Sequence, residues 1–259
     1  MLAFILRRVG QSILVMLVVA LISFMMFRYV GDPVVSMVSQ EATIGDQEAL
    51  RERLGLNDPF YVQFVRFVGN ALQGNFGISY RLQQPVAELI LSRLPATIEL
   101  ALTSVVIALA FGISLGVFSA LKPRSLRAGV VMTLSLVGVS LPTFLIGIGL
   151  IYIFAVELQW LPSFGRGQTV QIGWWSTGFL TESGLRSLIL PAITLSLFQM
   201  TLIMRLVRAE MLEVMRQDYI RFARARGLST RAINFGHALK NTLVPVITIT
   251  GLQLGSVIA

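Results

Sequence analysis

Five runs without a charged residue constrain this chain more than any other feature of its sequence. They are Val9–Phe27, Leu100–Leu121, Ala128–Val156, Ser187–Met204 and Asn241–Ala259. A helix needs roughly 20 apolar residues to cross about 30 Å of hydrocarbon, and every run is near or above that length. Charged residues make up 13% of the chain, against about a quarter in ordinary soluble domains. The pattern predicts an all-α polytopic membrane protein, a transmembrane helix bundle with five spans.

The distribution of basic residues between the runs predicts how the spans are oriented. Arg7 and Arg8 precede the first run, and residues 122–127 and 205–240 contain 3 and 8 basic residues. Together these segments have 13 basic and 3 acidic residues, whereas the rest of the chain has 8 and 10. Because lysine and arginine concentrate in cytoplasmic loops, we expect a multi-pass protein with a cytoplasmic N-terminus. The net charge of +8 then reflects orientation, so it does not indicate nucleic-acid binding.

The basic loop between the fourth and fifth runs has the pattern of a bent pair of helices. Its apolar residues recur at a spacing of three or four, at Leu212, Met215, Tyr219 and Phe222, which predicts one apolar helical face. Gly227 is expected to end this helix in the left-handed conformation, and Ser229 to cap the next one. Composition alone leaves two interpretations open: contact with anionic lipid, or docking of a cytoplasmic protein.

The order of residues in this loop resembles that of binding-protein-dependent ABC importer permeases. Their pattern is Glu-Ala-Ala, three residues, Gly, nine residues, then Ile-x-Leu-Pro. Gly227 takes the glycine place, and Arg221-Phe222-Ala223 stands where Glu-Ala-Ala is expected. The longer phrase MLEVMRQDYIRFARARGLS is similar to the dipeptide, oligopeptide and nickel branch, as are Leu-Pro-Ala-Thr at 94–97 and Leu-Pro-x-x-Gly at 161–165.

The resemblance implies a type I ABC importer transmembrane domain that moves small peptides across the bacterial inner (plasma) membrane; nickel or another small solute is the alternative. It also implies two ATP-binding cassette subunits, a homologous permease subunit and a periplasmic solute-binding protein as partners. The ATPase-docking residues would be Tyr219, Arg221, Phe222, Ala223, Gly227, Leu228, Ser229 and Arg231.

The same resemblance implies a division of the chain. Residues 1–94 would hold the first transmembrane helix and a periplasmic cap, and residues 95–259 the transmembrane domain with a cytoplasmic coupling loop at 205–242. The family continues into a sixth span, so we expect the domain to be incomplete after Ala259.

Sequence motifs for catalysis are absent. No Gly-x-x-x-x-Gly-Lys-Ser/Thr occurs, so a nucleotide-binding P-loop is missing. His237 is the only histidine and the chain has no cysteine, so a usual zinc site cannot form. We expect a pore subunit without enzymatic activity, cofactor or metal. Two other classes remain: a secondary transporter, for which Glu99 is the only coupling candidate, and a membrane scaffold.

Three features within the spans lead to further expectations. Glu99 is expected to be stabilised by a helix N-terminus, with a proton or ion site as the alternative. Gly112 and Gly116 form a GxxxG pair that permits a close helix crossing. Ser140 and Pro142 predict a kink that either lines the translocation path or fits neighbouring helices.

The loop after the third run contains Trp160, Trp174 and Trp175. Amphipathic indole rings favour the headgroup level, so an aromatic belt is expected there.

Overall fold

Helices form almost all of the regular structure in a computed structural model, which describes residues 2–29, 34, 44–53, 55–79 and 82–258. The chain divides into two compact units, Met1–Arg93 and Leu94–Ala259. The predicted cap region includes residues 30–33, 35–43, 54 and 80–81, and these, like Ala259, lie outside the described residues.

The first unit contains one long apolar helix and two short ones: α1 (Leu2–Tyr29), α2 (Ile44–Arg53) and α3 (Phe60–Leu72). α3 begins directly after Pro59, which has no N–H to leave unpaired at a helix start. The ring of Phe24 in α1 lies 5.3–5.7 Å from the rings of Phe60, Phe64 and Phe67. These aromatic contacts join α1 to the apolar face of α3.

The second unit is built around two helices of more than 30 residues. Its elements are α4 (Val86–Leu121, which starts in the first unit), α5 (Leu126–Ser140), α6 (Thr143–Ile151), a π-helical turn (Tyr152–Glu157), β1 (Val170–Ile172), β2 (Trp175–Thr177), α7 (Glu182–Val214), α8 (Asp218–Ala225), a second π-helical segment (Ala232–Ala238) and α9 (Leu239–Ile258). β1 and β2 pair antiparallel as a short hairpin.

Among the described residues, four helical stretches are long and apolar enough to cross a membrane: Leu2–Met26, Val86–Leu121, Glu182–Val214 and Ala232–Ile258. The third apolar run is not one span-length helix, because it divides at Pro142 into α5 and α6. Pro142 has φ −55° and ψ 133°, an extended conformation, and its ring nitrogen cannot donate a helical hydrogen bond. The prediction of an all-α membrane bundle is confirmed, and the kink predicted at Pro142 is present as the break between α5 and α6.

The GxxxG pair packs α4 closely against α7. A Cβ atom on Gly112 would lie 2.9 Å from Cγ2 of Ile203, and one on Gly116 would lie 2.7 Å from Cβ of Val207. Both distances are shorter than a van der Waals contact, so only glycine fits at this crossing. The predicted close approach of two helices at this pair is confirmed.

Candidate functional site

The end of α7 and the whole of α8 form a bent segment at one end of the second unit. α7 stops at Val214, and a turn at Met215–Gln217 separates it from α8. The sequence pattern predicted one continuous helix here, which is wrong. The turn changes the helical phase, so Ile220 and Ala223 are buried, whereas Tyr219 and Phe222 are 41% and 63% exposed. The predicted apolar face therefore points outward in its second half.

Gly227 ends α8 as predicted. Its φ is +77°, a left-handed conformation that glycine adopts without a Cβ penalty. The Leu228 N–H donates to the carbonyl of Ala223 at 3.3 Å, and the Gly227 N–H donates to that of Arg224 at 2.9 Å. This pair of hydrogen bonds is a Schellman motif, which satisfies carbonyls that the helix end leaves free.

Ser229 begins the next helix, also as predicted. Its hydroxyl oxygen accepts from the Ala232 N–H at 3.3 Å, and its carbonyl accepts from the Ile233 N–H at 3.0 Å. We call Tyr219–Arg231, from α8 through the glycine to this cap, the corner. Its shape is set by local hydrogen bonds, because both the stop and the start signals lie within a few residues.

Buried apolar side chains connect the corner to the long helices. Ile220 and Ala223 of α8 belong to one core cluster with Val207 and Met211 of α7 and Ile233 of the π-helical segment. All five are at most 6% exposed. Close-packed interiors transmit strain, and here the corner and α7 share one continuous core.

The opposite side of the corner is exposed, apolar at its centre and basic around it. Phe222 and Leu228 are 63% and 41% exposed, and the guanidinium of Arg226 lies 5.7 Å from the Phe222 ring centroid. The remaining exposed basic side chains of this surface are Arg221, Arg224 and Arg231. An exposed aromatic side chain surrounded by arginines is typical of a protein-binding surface.

The other predicted docking residues have distinct positions. Ala223 is 6% exposed and packs into the core, so it supports the corner from below. The Tyr219 hydroxyl accepts a hydrogen bond from the Asn241 side chain at 2.7 Å, which ties the start of α8 to α9. Gly227 and Ser229 are exposed at the bend itself. Docking by these residues stays a prediction.

Ser140 and Pro142 lie at the break between α5 and α6, and both are exposed. The Ser140 hydroxyl donates to the Leu136 carbonyl at 2.8 Å, within its own helix. A place for this break on the translocation path stays a prediction, with a fit to neighbouring helices as its alternative.

Sequence reasoning missed a second polar cluster at the other end of α7. Glu99 is 3% exposed and lies more than three turns inside α4. A helix dipole acts only over the first turn, so the expected stabilisation by a helix N-terminus is wrong. The carboxylate instead accepts hydrogen bonds at 3.2 Å from Arg166, Trp175 and the Gly178 N–H.

The three tryptophans of this loop have different environments. Trp160 and Trp174 are each 63% exposed, and a headgroup position for them stays a prediction. Trp175 is half-buried, and its indole N–H donates to Glu99. The protein thus satisfies the ring N–H of Trp175, and a headgroup position for this residue also stays a prediction.

Comparison with known proteins gives matches along the whole chain. The family model described as "Binding-protein-dependent transport system inner membrane component" matches residues 112–259, and that of the N-terminal part of such membrane components matches residues 1–101. The chain is 42% identical to the "Di/tripeptide transport system permease protein DppB" of Pseudomonas aeruginosa, over 100% of this chain and 81% of that protein. It is 41% identical to the "Oligopeptide transport system permease protein AppB" of Bacillus subtilis, over 100% of this chain and 80% of that protein.

Proposed function

Because the chain belongs to the family of binding-protein-dependent transport system inner membrane components, we propose that it is the permease subunit of an ABC importer for small peptides. Both relatives described above are named as peptide permeases, which favours peptides over nickel as the solute. The observation that carries the mechanism is the corner, an exposed aromatic and basic surface built on a buried core that continues into α7.

In this mechanism two ATPase subunits bind the corner from the cytoplasm, one on this chain and one on a homologous permease. Phe222 inserts into a pocket of the ATPase, while Arg221, Arg224 and Arg231 contact acidic groups around it. Closure of the ATPase pair on ATP then displaces α8, and the contacts of Ile220 and Ala223 carry the displacement into α7. The spans rock as rigid bodies between inward-open and outward-open states.

The length of α7 and the distribution of basic residues support an orientation for the chain. Its 33 residues extend about 50 Å at about 1.5 Å per residue, longer than the roughly 30 Å of hydrocarbon. The corner and the hairpin Val170–Thr177 adjoin its opposite ends, so they lie on opposite sides of the membrane. The excess of basic residues favours a cytoplasmic corner, and Arg7 and Arg8 separately favour a cytoplasmic N-terminus.

The division of roles that we propose has its boundary near that of the two compact units. Residues 1–94 supply the first span and outer elements, and residues 95–259 supply the pore-forming helices and the coupling loop at 205–242. The chemistry of ATP hydrolysis resides in the partner subunits, and a periplasmic solute-binding protein delivers the peptide.

Co-purification with the ATPase subunits tests the docking role of the corner. We expect Phe222→Ala to reduce the recovered ATPase strongly, since an exposed aromatic anchor is removed from the centre of the surface. Phe164→Ala is the matched control, because Phe164 is 89% exposed but lies in the loop that precedes the hairpin. Equal recovery from both variants would count against docking at the corner.

Uptake measurements test the solute. Cells that express the intact system should accumulate a radiolabelled dipeptide in an ATP-dependent manner, and deletion of this gene should abolish that uptake. Loss of nickel uptake with normal dipeptide uptake would replace the peptide by the metal ion as cargo.

A further inference from the structure

Glu99 connects α4 to the hairpin through three hydrogen bonds from separate donors. Arg166 precedes β1, Trp175 begins β2 and Gly178 follows it, so the carboxylate holds both sides of the hairpin. The donors are 67, 76 and 79 residues away along the chain. The side chain of Glu99 is 5% exposed, whereas that of its ionic partner Arg166 is 31% exposed.

Arg166 extends this connection through its guanidinium. One terminal nitrogen donates to the Ser176 hydroxyl at 2.8 Å, and the other donates both to the Ser176 carbonyl and to Glu99. A planar fork can make these contacts together, which a lysine ammonium cannot reproduce. Arg166 therefore fixes β2 relative to α4.

Close backbone contacts hold the same loop against the start of α7. A Cβ atom on Gly184 would lie 2.8 Å from Cα of Gly178, which leaves no room for a larger residue. The Thr181 hydroxyl caps α7 by accepting from the Gly184 N–H at 3.1 Å. The Gln168 N–H donates to the Ser183 hydroxyl at 2.9 Å. The hairpin is thus joined to both α4 and α7.

The surroundings of the Glu99–Arg166 ion pair are largely apolar, so stabilisation of the fold alone does not explain the pair. A cavity of ≈ 210 Å³ adjoins the pair, with Ala96, Leu100, Leu188 and Pro191 forming its apolar walls. Burying charges costs several kcal/mol per ion, so replacing such a pair by packed apolar side chains is often neutral or stabilising. The pair instead favours a single arrangement of the loop relative to α4, because Glu99 accepts hydrogen bonds from three separate positions in that loop.

We propose that Glu99 and Arg166 are positioning residues that hold the hairpin as a rigid outer extension of α4 and α7. The solute-binding protein would then press on the hairpin and move α4 and α7, and both helices contribute to the core cluster of the corner, α4 through Val117 and Ala120. This inference rests on the proposed function, because it needs a binding protein outside and an ATPase inside.

The exposed surface of the hairpin is what the binding protein would contact. Trp174 and Ile172 are 63% and 57% exposed, and residues 170–177 contain no lysine or arginine with which to bind anionic headgroups. The hairpin adjoins the end of α7 that lies opposite the corner. The proposed place of the hairpin on the outer side puts it within reach of a binding protein, and its lack of basic residues disfavours anionic headgroups.

ATP hydrolysis by the assembled importer in lipid nanodiscs, with and without its solute-binding protein, tests the positioning role. The readout is the ratio of stimulated to basal rate. We expect this ratio to fall toward one in Glu99→Gln and Arg166→Lys, because the hairpin loses its fixed geometry. Glu182→Gln is the matched control, since Glu182 pairs with Arg186 at 2.7 Å on the exposed surface, and it should keep the wild-type ratio.

The outcomes of this experiment are distinguishable. A wild-type ratio in Glu99→Gln would overturn the proposal. A parallel fall of both rates with an unchanged ratio would also overturn it, because it would show a role in folding alone. A wild-type preparation that contains no ATPase subunit would instead refute the proposed function, before any variant is compared.

A spin label on Trp174→Cys provides an independent measurement, since the chain has no native cysteine. In the complete importer, we expect the label to be more mobile when Glu99→Gln is added and unchanged when Glu182→Gln is added. Equal mobility in both backgrounds would contradict the positioning role. Quenching of the label by lipid-soluble oxygen, unchanged by the binding protein, would assign the hairpin to lipid and overturn the proposal.

Discussion

Substitutions of Gly227 test the backbone conformation of the corner independently of its side-chain contacts. Gly227 has φ +77°, and a Cβ atom there would meet no heavy atom within 4 Å. The cost of a side chain is therefore backbone strain alone, about 1–2 kcal/mol for an L-residue in the left-handed region. Valine is worse because it is β-branched, whereas asparagine tolerates this conformation. The predicted order of damage is Val, then Ala, then Asn.

A Gly227→Val variant could relieve this backbone strain if the bend between α8 and Ser229 opened. Opening would release the hydrogen bonds from the Gly227 and Leu228 N–H groups, each contributing about 0.5–1.5 kcal/mol net. Strain and release are thus of similar size, so Gly227→Val should populate an open corner while Ile220 stays packed in the core. We expect normal membrane insertion but weaker transmission of the ATPase stroke.

Peptide transported per ATP hydrolysed, measured in proteoliposomes, is the relevant assay. Gly227→Val should lower this ratio most, with Gly227→Asn near wild type. Gly236→Ala is the matched control, since Gly236 lies in the same loop, has open space around its Cβ position and lacks a positive φ. Normal coupling in Gly227→Val would refute the mechanism. Equal damage by Asn and Val would show that contact with a partner, and not backbone strain, controls the effect.

Two further variants test the packing of the second unit. Gly116→Ala should destabilise the folded protein by about 1–2 kcal/mol in a mixed-micelle unfolding assay, because its Cβ would lie 2.7 Å from Cβ of Val207. Gly129→Ala is the control and should keep the wild-type stability, because the space around Gly129 is open. An equal loss of stability in both variants would contradict the packing argument. Ile220→Ala should lower the free energy of unfolding by about 2–5 kcal/mol, whereas Phe222→Ala should leave it nearly unchanged because that side chain is 63% exposed. A larger loss of stability in Phe222→Ala than in Ile220→Ala would indicate that Phe222 is buried, as the sequence pattern predicted, and would contradict the structure.

Local signals in the sequence were sufficient where the controlling contacts are also local. Gly227 and Ser229 end one helix and begin the next through hydrogen bonds that span at most five residues, so their roles could be predicted. The GxxxG pair is similar, since two missing side chains on one helical face permit a close crossing whichever helix is opposite. Its partner on α7, at Ile203 and Val207, could not be predicted.

The buried face of α8 was mispredicted because the spacing of apolar residues was read as one continuous helix. The sequence gives no sign of the turn that interrupts this helix. Met215–Gln217 contains neither glycine nor proline, and the turn there alters which side chains face the core. Packing of Ile220 against the neighbouring helices, and not the local spacing, decides the orientation of this helix.

The chain by itself determined the membrane class, the spans and the position of the bend, because hydrophobic length and capping groups act over short stretches of sequence. The proline at 142 also indicated the break in the third run. Only the tertiary structure decided the exposed side of the corner and the partners of Glu99. Those partners lie 67 to 79 residues away, and a hydrogen bond between such distant groups depends on how helices and loops pack, which no spacing within one segment encodes.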